Sequence, residues 1–475
     1  MKFNLTQKIA YNAVFSAVSR IIEVTIALVI IGLTTRYLGE SGFGDYIIVV
    51  TFIYIFSVVA DLGLYSIVVR EISREGANEE EIINNAFTFR TVAGLFILGS
   101  AFFISLIFPY SEVVKYGIAV AALGFWILSN TQVLMGLFQK HLAMDKVALA
   151  EITGRIVQLF FIILFIHFDL GFLYIIFTIF LGSIVNLALV LKFLSKYVKI
   201  RFRFDFKLWK KLLSQSYHLA VAAVLVLIYF KLDTIFLSVM KSSEAVGVYG
   251  LSYKILENLI FFPAMIVGLT MPIMSRYIFT DREKFKSVVQ RTLNFLLIAV
   301  VPMIVGMVLI SEKVIKLIIG GEFGFADSPF VLNILMIALG FIFLGALFSN
   351  ILIAANKQKQ LAQIYFVGMV FNIITNFIFI PQYSYFGAAA TTVATELMVT
   401  ALMIIIVYRT LKFIPSFIIL FKVIIASLLM YFVLQYFSYL NIFYLICLGG
   451  LVYLLTIYNL GGISKEEIKK LINRS

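Results

Sequence analysis

Residues 44–74 read GDYIIVVTFIYIFSVVADLGLYSIVVREISR, and residues 247–276 read GVYGLSYKILENLIFFPAMIVGLTMPIMSR. Each contains an apolar run of about 20 residues, enough to cross a ~30 Å hydrocarbon layer as a helix rising 1.5 Å per residue. Each opens on Gly-x-Tyr and closes on Ser-Arg. Gly44-Asp45-Tyr46 and Gly247-Val248-Tyr249 stand 203 positions apart, and Ile72-Ser73-Arg74 and Met274-Ser275-Arg276 stand 202 apart. Two further echoes follow in the same order. Asp145-Lys146 matches Asn356-Lys357, and Asp169-Leu170-Gly171 matches Tyr385-Phe386-Gly387. The shared order predicts two halves with a parallel repeat about an axis along the membrane normal, an arrangement used by transporters that rock around a central cavity.

Outward from these segments the pattern continues. Apolar spans are expected at about 9–35, 43–66, 84–108, 113–137, 146–166, 170–192, 212–238, 244–274, 288–310, 328–355, 360–380, 386–408, 415–436 and 440–460. The fold class is thus an all-α polytopic membrane protein of about 14 helices, with two six-helix bundles and two C-terminal helices. The organisation follows as an N-lobe over 1–198, a C-lobe over 199–411, two extra spans in 412–462 and an amphipathic tail over 463–475. The first span is too long for a signal-peptide core and is expected to be retained. Composition agrees: 62% of the 475 residues are hydrophobic and 13% are charged, against roughly 45–50% and ~25% in soluble domains. One cysteine, Cys447, excludes an intrachain disulfide, and His141, His167 and His218 are not spaced as metal ligands.

The net charge of +13 is distributed by side. The termini and the loops after even-numbered spans carry 29 of the 38 Lys and Arg, with Arg70, Arg74 and Arg90 assigned to the loop after span 2. The opposite loops carry five: Arg36, Lys115, Lys241, Lys313 and Lys316. Cytoplasmic loops accumulate cations, so both termini are expected in the cytoplasm and the chain in the cell membrane. The densest run, from Lys192 to Lys211, is read first as topology, with attraction of anionic headgroups as the other reading. No basic recognition element stands outside the membrane, which argues against nucleic acid as a partner.

Arg36-Tyr37-Leu38-Gly39, Gly42 to Tyr46, Asp61-Leu62-Gly63-Leu64 and Arg70-Glu71-Ile72 together resemble the start of polysaccharide flippases (O-antigen translocases) of the multidrug/oligosaccharidyl-lipid/polysaccharide exporter superfamily. The resemblance continues through Leu232 to Ile235, Val246 to Tyr249, Pro272 to Arg276, Asn372 to Asn376, Ile380-Pro381 and Gly387 to Thr391. It implies movement of a polyprenyl-(di)phosphate-linked oligosaccharide from the cytoplasmic to the outer leaflet by alternating access, for cell-surface polysaccharide synthesis. It implies membrane lipids and polysaccharide polymerase machinery as partners, coupling to an H⁺ or Na⁺ gradient, and no other cofactor. Within the superfamily, a multidrug/cation antiporter and a lipid II flippase are the rival readings. A membrane glycosyltransferase or polymerase is disfavoured, because the longest outer loop, Ser311–Asp327, has no DxD-like cluster and the chain has no Walker sequence.

Charges inside the spans are costly, at about 2.5–3.5 kcal/mol each on insertion scales, and mark candidate sites. Arg20 and Glu23 share a face of span 1, Lys254 and Glu257 repeat that spacing in span 8, and Glu151 and Arg155 lie one turn apart in span 5. Arg20, Lys254 and Arg155 are candidate anchors for a diphosphate, with Glu23 and Asp233 completing the substrate set. A lipid II flippase, a relative of this family, uses basic residues in its first and eighth spans, the spans of Arg20 and Lys254 here. The other reading is that each pair neutralises itself within its helix; it is preferred for Glu151–Arg155, and anchoring for Arg20 and Lys254. Asp61, Glu257 and Glu396 are candidate coupling carboxylates. Lys231 is expected to snorkel outward. Pro263, Pro272 and Pro302 are expected to bend spans 8 and 9.

Overall fold

The computed structural model describes residues 5–61, 63–321 and 324–462. The expected tail helix over 463–475 and Glu322 of the outer loop lie outside these residues. Among the described residues every regular element is a helix: α1 (Leu5–Asp61), α2 (Leu64–Ile72), α3 (Glu79–Ser105), α4 (Glu112–Lys140), α5 (Met144–His167), α6 (Phe172–Leu194), α7 (Phe206–Met240), α8 (Ser243–Leu259), α9 (Phe261–Tyr277), α10 (Arg282–Ile319), α11 (Ser328–Ala354), α12 (Gln358–Leu411), α13 (Ile418–Tyr436) and α14 (Ile442–Asn459). Eleven helical segments among these residues are long and apolar enough to cross a membrane.

Two of the helices are too long for one crossing. At 57 residues α1 would extend about 85 Å if straight, nearly three times a hydrocarbon core. It breaks at Gly39, whose φ of 67° and ψ of −172° suit a residue without a Cβ. The 54-residue α12 breaks likewise at Ser384, φ 51° and ψ −132°, three residues past Pro381. Between α8 and α9 the helix is interrupted at Ile260. Pro263 begins the next turn, and a proline removes an N–H and crowds the carbonyl four residues back. Pro272 and Pro302 lie inside α9 and α10.

By contacts the chain forms two compact units. The first comprises the chain up to Gly247 with Ile318–Gly324, and the second comprises Val248–Leu317 with the chain from Phe325. The sequence division at 198/199 followed the repeat, whereas contacts carry α7 into the first unit, where it packs on α1, α2 and α3. In that unit α4 and α6 pack together, α5 lies on α6 and α1, and α3 lies on α4 and α1. Small residues allow the closest approach: a Cβ on Gly154 of α5 would stand 2.8 Å from the Gly182 carbonyl oxygen of α6, and one on Gly182 would stand 2.7 Å from that of Gly154. Gly44 makes a similar contact, for a Cβ there would overlap the carbonyl of Ser243 at the first turn of α8. In the second unit α11 packs on α12 and α9, and α13 on α14.

Side chains such as Phe96 and Phe421 are exposed on these helices, and Ile107 in the turn after α3. So much apolar surface outside is the mark of a chain solvated by lipid.

Candidate functional site

In the first unit, charged side chains of α1 and α5 come together. The Arg20 guanidinium pairs with Glu23 at 3.2 Å, as helical spacing predicts, and leaves 45% of its side chain exposed. The Glu23 carboxyl in turn faces the Glu151 carboxyl on α5. Among the described residues the ion pair expected within α5 is not formed within salt-bridge distance: Arg155, exposed on α5, donates to Gln158 at 3.2 Å. The cluster holds two guanidinium groups and two carboxyl groups.

Asp61 lies at the end of α1 and meets a cation that the loop count concealed. Arg90 is fully buried within α3, although its neighbours in sequence suggested a cytoplasmic loop. Its Nη1 reaches Asp61 Oδ1 at 2.9 Å and donates to the Ala60 carbonyl at 2.6 Å, while Nε donates to Ser129 at 2.5 Å. Such a cation persists only where its donors are matched. This is the largest fully buried side chain among the described residues, and the sequence signal for it is an Arg six residues inside an expected span.

Lys231 and Asp233 of α7 are both buried, at 8% and 2% exposure. Lys231 does not snorkel outward as expected: its ammonium lies over the Tyr54 ring of α1, 5.7 Å from the centroid. A third buried charge escaped the sequence reading, Glu71 in the motif Arg70-Glu71-Ile72. It accepts from Arg74 at 3.0 Å and lies 3.5 Å from Arg70 and 3.6 Å from Lys211, so it ties α2 to the start of α7. Arg70 completes the tie by donating to Gln215 at 2.6 Å.

In the second unit Lys254 and Glu257 of α8 pair at 2.8 Å with about a quarter of each side chain exposed. Glu396 is buried on α12, beside a polar band in which Asn376 donates to Asn372 at 2.9 Å and Thr391, Thr392 and Thr395 are buried. Tyr249, from the echoed Gly-x-Tyr, bonds Thr392 at 3.2 Å. The other motif residues serve the ends of the helices. The Tyr37 hydroxyl donates to Asp169 at 2.7 Å and accepts from the Gly171 N–H at 2.8 Å, and Tyr385 donates to Asp327 at 2.5 Å.

Comparison with known proteins places this arrangement. The sequence model of the polysaccharide biosynthesis protein family matches residues 9–278, and the MatE model matches residues 219–378. A probable low-salt glycan biosynthesis flippase of Haloferax volcanii is 23% identical over 361 residues, 75% of this chain and 74% of that protein. A putative O-antigen transporter of Shigella flexneri is 22% identical over 395 residues, 80% and 92% of the two chains. Among solved structures, a lipid II flippase, MurJ, in an inward closed conformation superposes with a TM-score of 0.76 at 16% identity, over 94% of this chain and 98% of that one. An inward-facing multidrug resistance MATE transporter of the MOP superfamily superposes with a TM-score of 0.66 at 15% identity, over 84% and 99%. These likenesses establish a MurJ/MATE-like fold.

Proposed function

We propose that this chain, which belongs to the polysaccharide biosynthesis protein family, is a flippase that moves a polyprenyl-(di)phosphate-linked oligosaccharide from the cytoplasmic to the outer leaflet of the cell membrane. The observation that carries the reading is the family match over more than half of the chain. Relatives named as a glycan biosynthesis flippase and an O-antigen transporter support it. A flippase breaks no covalent bond in its cargo, so the protein acts as a transporter rather than an enzyme. Polysaccharide polymerase machinery would use the lipid-linked sugar it delivers.

The physical problem is the diphosphate, whose charge cannot enter hydrocarbon uncompensated. Arg20, Arg155 and Lys254 are the candidate cations for it, Arg with the fork geometry that suits phosphate oxygens. Each keeps part of its side chain open. Glu23 holds Arg20 in place, and Asp233 is proposed to complete the substrate set.

Coupling needs a group whose protonation or ligation changes with access. The Glu23–Glu151 carboxyl pair is such a group, and Glu257 and Glu396 are its counterparts in the second unit. Asp61, locked to Arg90, is better suited to holding the helices together.

Binding of a fluorescent polyprenyl-diphosphate oligosaccharide to the purified protein tests the anchoring. Arg20→Gln and Lys254→Gln are each expected to weaken it about tenfold, the loss of roughly one charge-assisted hydrogen bond. A cationic dye should not compete. Competition by the dye, or binding indifferent to both substitutions, would contradict the proposal.

A further inference from the structure

Between α6 and α7, residues 199–205 run as an extended ribbon across the first turns of α3. Three buried side chains of α3 hold its backbone. Asn84 donates to the Lys199 carbonyl at 3.0 Å and accepts the Arg201 N–H at 2.9 Å. Thr88 accepts the Arg203 N–H at 2.9 Å, and Asn85 accepts the Asp205 N–H at 2.8 Å. Alternate N–H groups of an extended chain point the same way, which is why positions 201, 203 and 205 are the ones held. The Asp205 carboxylate then caps α7, accepting from the N–H groups of Lys207 and Leu208 at 2.9 and 3.1 Å.

The ribbon has a two-residue chemical period. Even positions carry Phe202, Phe204 and, opening α7, Phe206, exposed by 63%, 60% and 71%. Odd positions carry Lys199, Arg201 and Arg203. The rings continue a row over α3: Phe202 lies 5.8 Å from Phe87, and Trp209 lies 5.9 Å from Phe204, 5.1 Å from Phe206 and 5.4 Å from Phe89. On α7, Leu208 and Leu212 turn into the core of the first unit while Lys207, Lys210 and Lys211 stay exposed.

From Lys192 to Lys211 there are eight cations, and the one acid, Asp205, is engaged as a helix cap. Neighbouring elements offer Glu80, 3.9 Å from Arg203, and Glu71, 3.6 Å from Lys211. Among the described residues no carboxylate lies within ion-pair distance of Lys199, Arg201, Lys207 or Lys210.

A ribbon pinned where a membrane helix begins, with exposed aromatic rings alternating with unpaired cations, matches the headgroup layer in depth and in charge. Aromatic rings settle at that level, and basic side chains are drawn to anionic lipid there. We propose that residues 199–211 are an interfacial anchor that binds anionic phospholipid headgroups of the adjoining leaflet, with Phe202, Phe204 and Phe206 seated among the acyl-chain ends and Lys199, Arg201, Lys207 and Lys210 on the phosphates. The anchor is separate from the charges assigned to the cargo, and stands whichever glycolipid is moved.

The sequence contains two tryptophans, Trp126 and Trp209, so Trp209 becomes the sole indole in Trp126→Phe protein. This protein is reconstituted in phosphatidylcholine vesicles carrying a minority of brominated-chain lipid, either phosphatidylglycerol or phosphatidylcholine. Brominated phosphatidylglycerol is expected to quench Trp209 at least about twofold more strongly, a preference lost at about 1 M salt, where charges are screened within about 3 Å. Arg201→Gln/Lys207→Gln/Lys210→Gln should abolish the preference while leaving the emission maximum unchanged, since α3 holds backbone groups of the ribbon. Trp209→Phe protein, with Trp126 donating to the Thr91 carbonyl as reporter, should show no preference. Equal quenching of Trp209 by the two lipids, or a preference that survives the triple substitution, would overturn the proposal.

Discussion

A single buried guanidinium organises much of the first unit. Arg90 has no solvent exposure and spends its donors on Asp61, Ala60 and Ser129, so removing either charge leaves the other stranded. Arg90→Ala is expected to destabilise the protein by about 3–5 kcal/mol. Asp61→Asn should cost less, because the amide oxygen still accepts. Arg90→Met with Asp61→Asn should recover part of the loss, a result read by equilibrium unfolding in mixed micelles. Glu23 and Glu151 invite a different test, since two acids from different helices face each other there. In proteoliposomes an imposed proton gradient should alter glycolipid flux in wild type and have little effect in Glu151→Gln protein, which holds a neutral side chain at either pH. A response to the gradient unchanged by Glu151→Gln would reduce the pair to packing.

At the scale of elements, contacts that fix the helices are made by residues with the least side chain. Gly154 and Gly182 let α5 and α6 meet backbone to backbone, and Gly154→Leu should force them apart at a cost of about 1–3 kcal/mol or more. Gly99→Ala on α3, with open space around it, should be neutral in the same assay. The ribbon over α3 gives a further readout. Asn84→Ala/Thr88→Ala removes the acceptors for two backbone N–H groups, and trypsin should then cut after Arg201 and Arg203 about tenfold faster. What the sequence reveals at this scale follows from the range of each interaction. Apolar spans are legible because each crossing must supply its own apolar residues, and Arg20–Glu23 and Lys254–Glu257 are legible because helix geometry is local. Glu23 with Glu151, Asp61 with Arg90, and Glu71 with Lys211 join different helices, and no local periodicity announces them. Arg90 was counted with its basic neighbours for the same reason: the carboxylate that permits its burial belongs to another helix. The motif residues Tyr37 and Tyr249 were legible as family marks, and their work as hydrogen-bonding ties was not.

For the whole molecule, the helical architecture, the family and the resemblance to flippase relatives point the same way. An aqueous protein could not expose Phe96 or Ile107 in such company. From the basic excess toward the loops after even-numbered spans we propose that both termini lie in the cytoplasm. The central claim is that the cargo is an anionic lipid-linked oligosaccharide. It is tested most directly by reconstituting the protein in vesicles and following the protection of a labelled polyprenyl-diphosphate oligosaccharide in one leaflet, beside the exchange of a cationic dye. The account predicts glycolipid flux that falls to the protein-free rate in Arg20→Ala/Lys254→Ala protein, with no dye exchange. Dye exchange without glycolipid flux would contradict it and move the chain to the drug-antiporter branch of the fold.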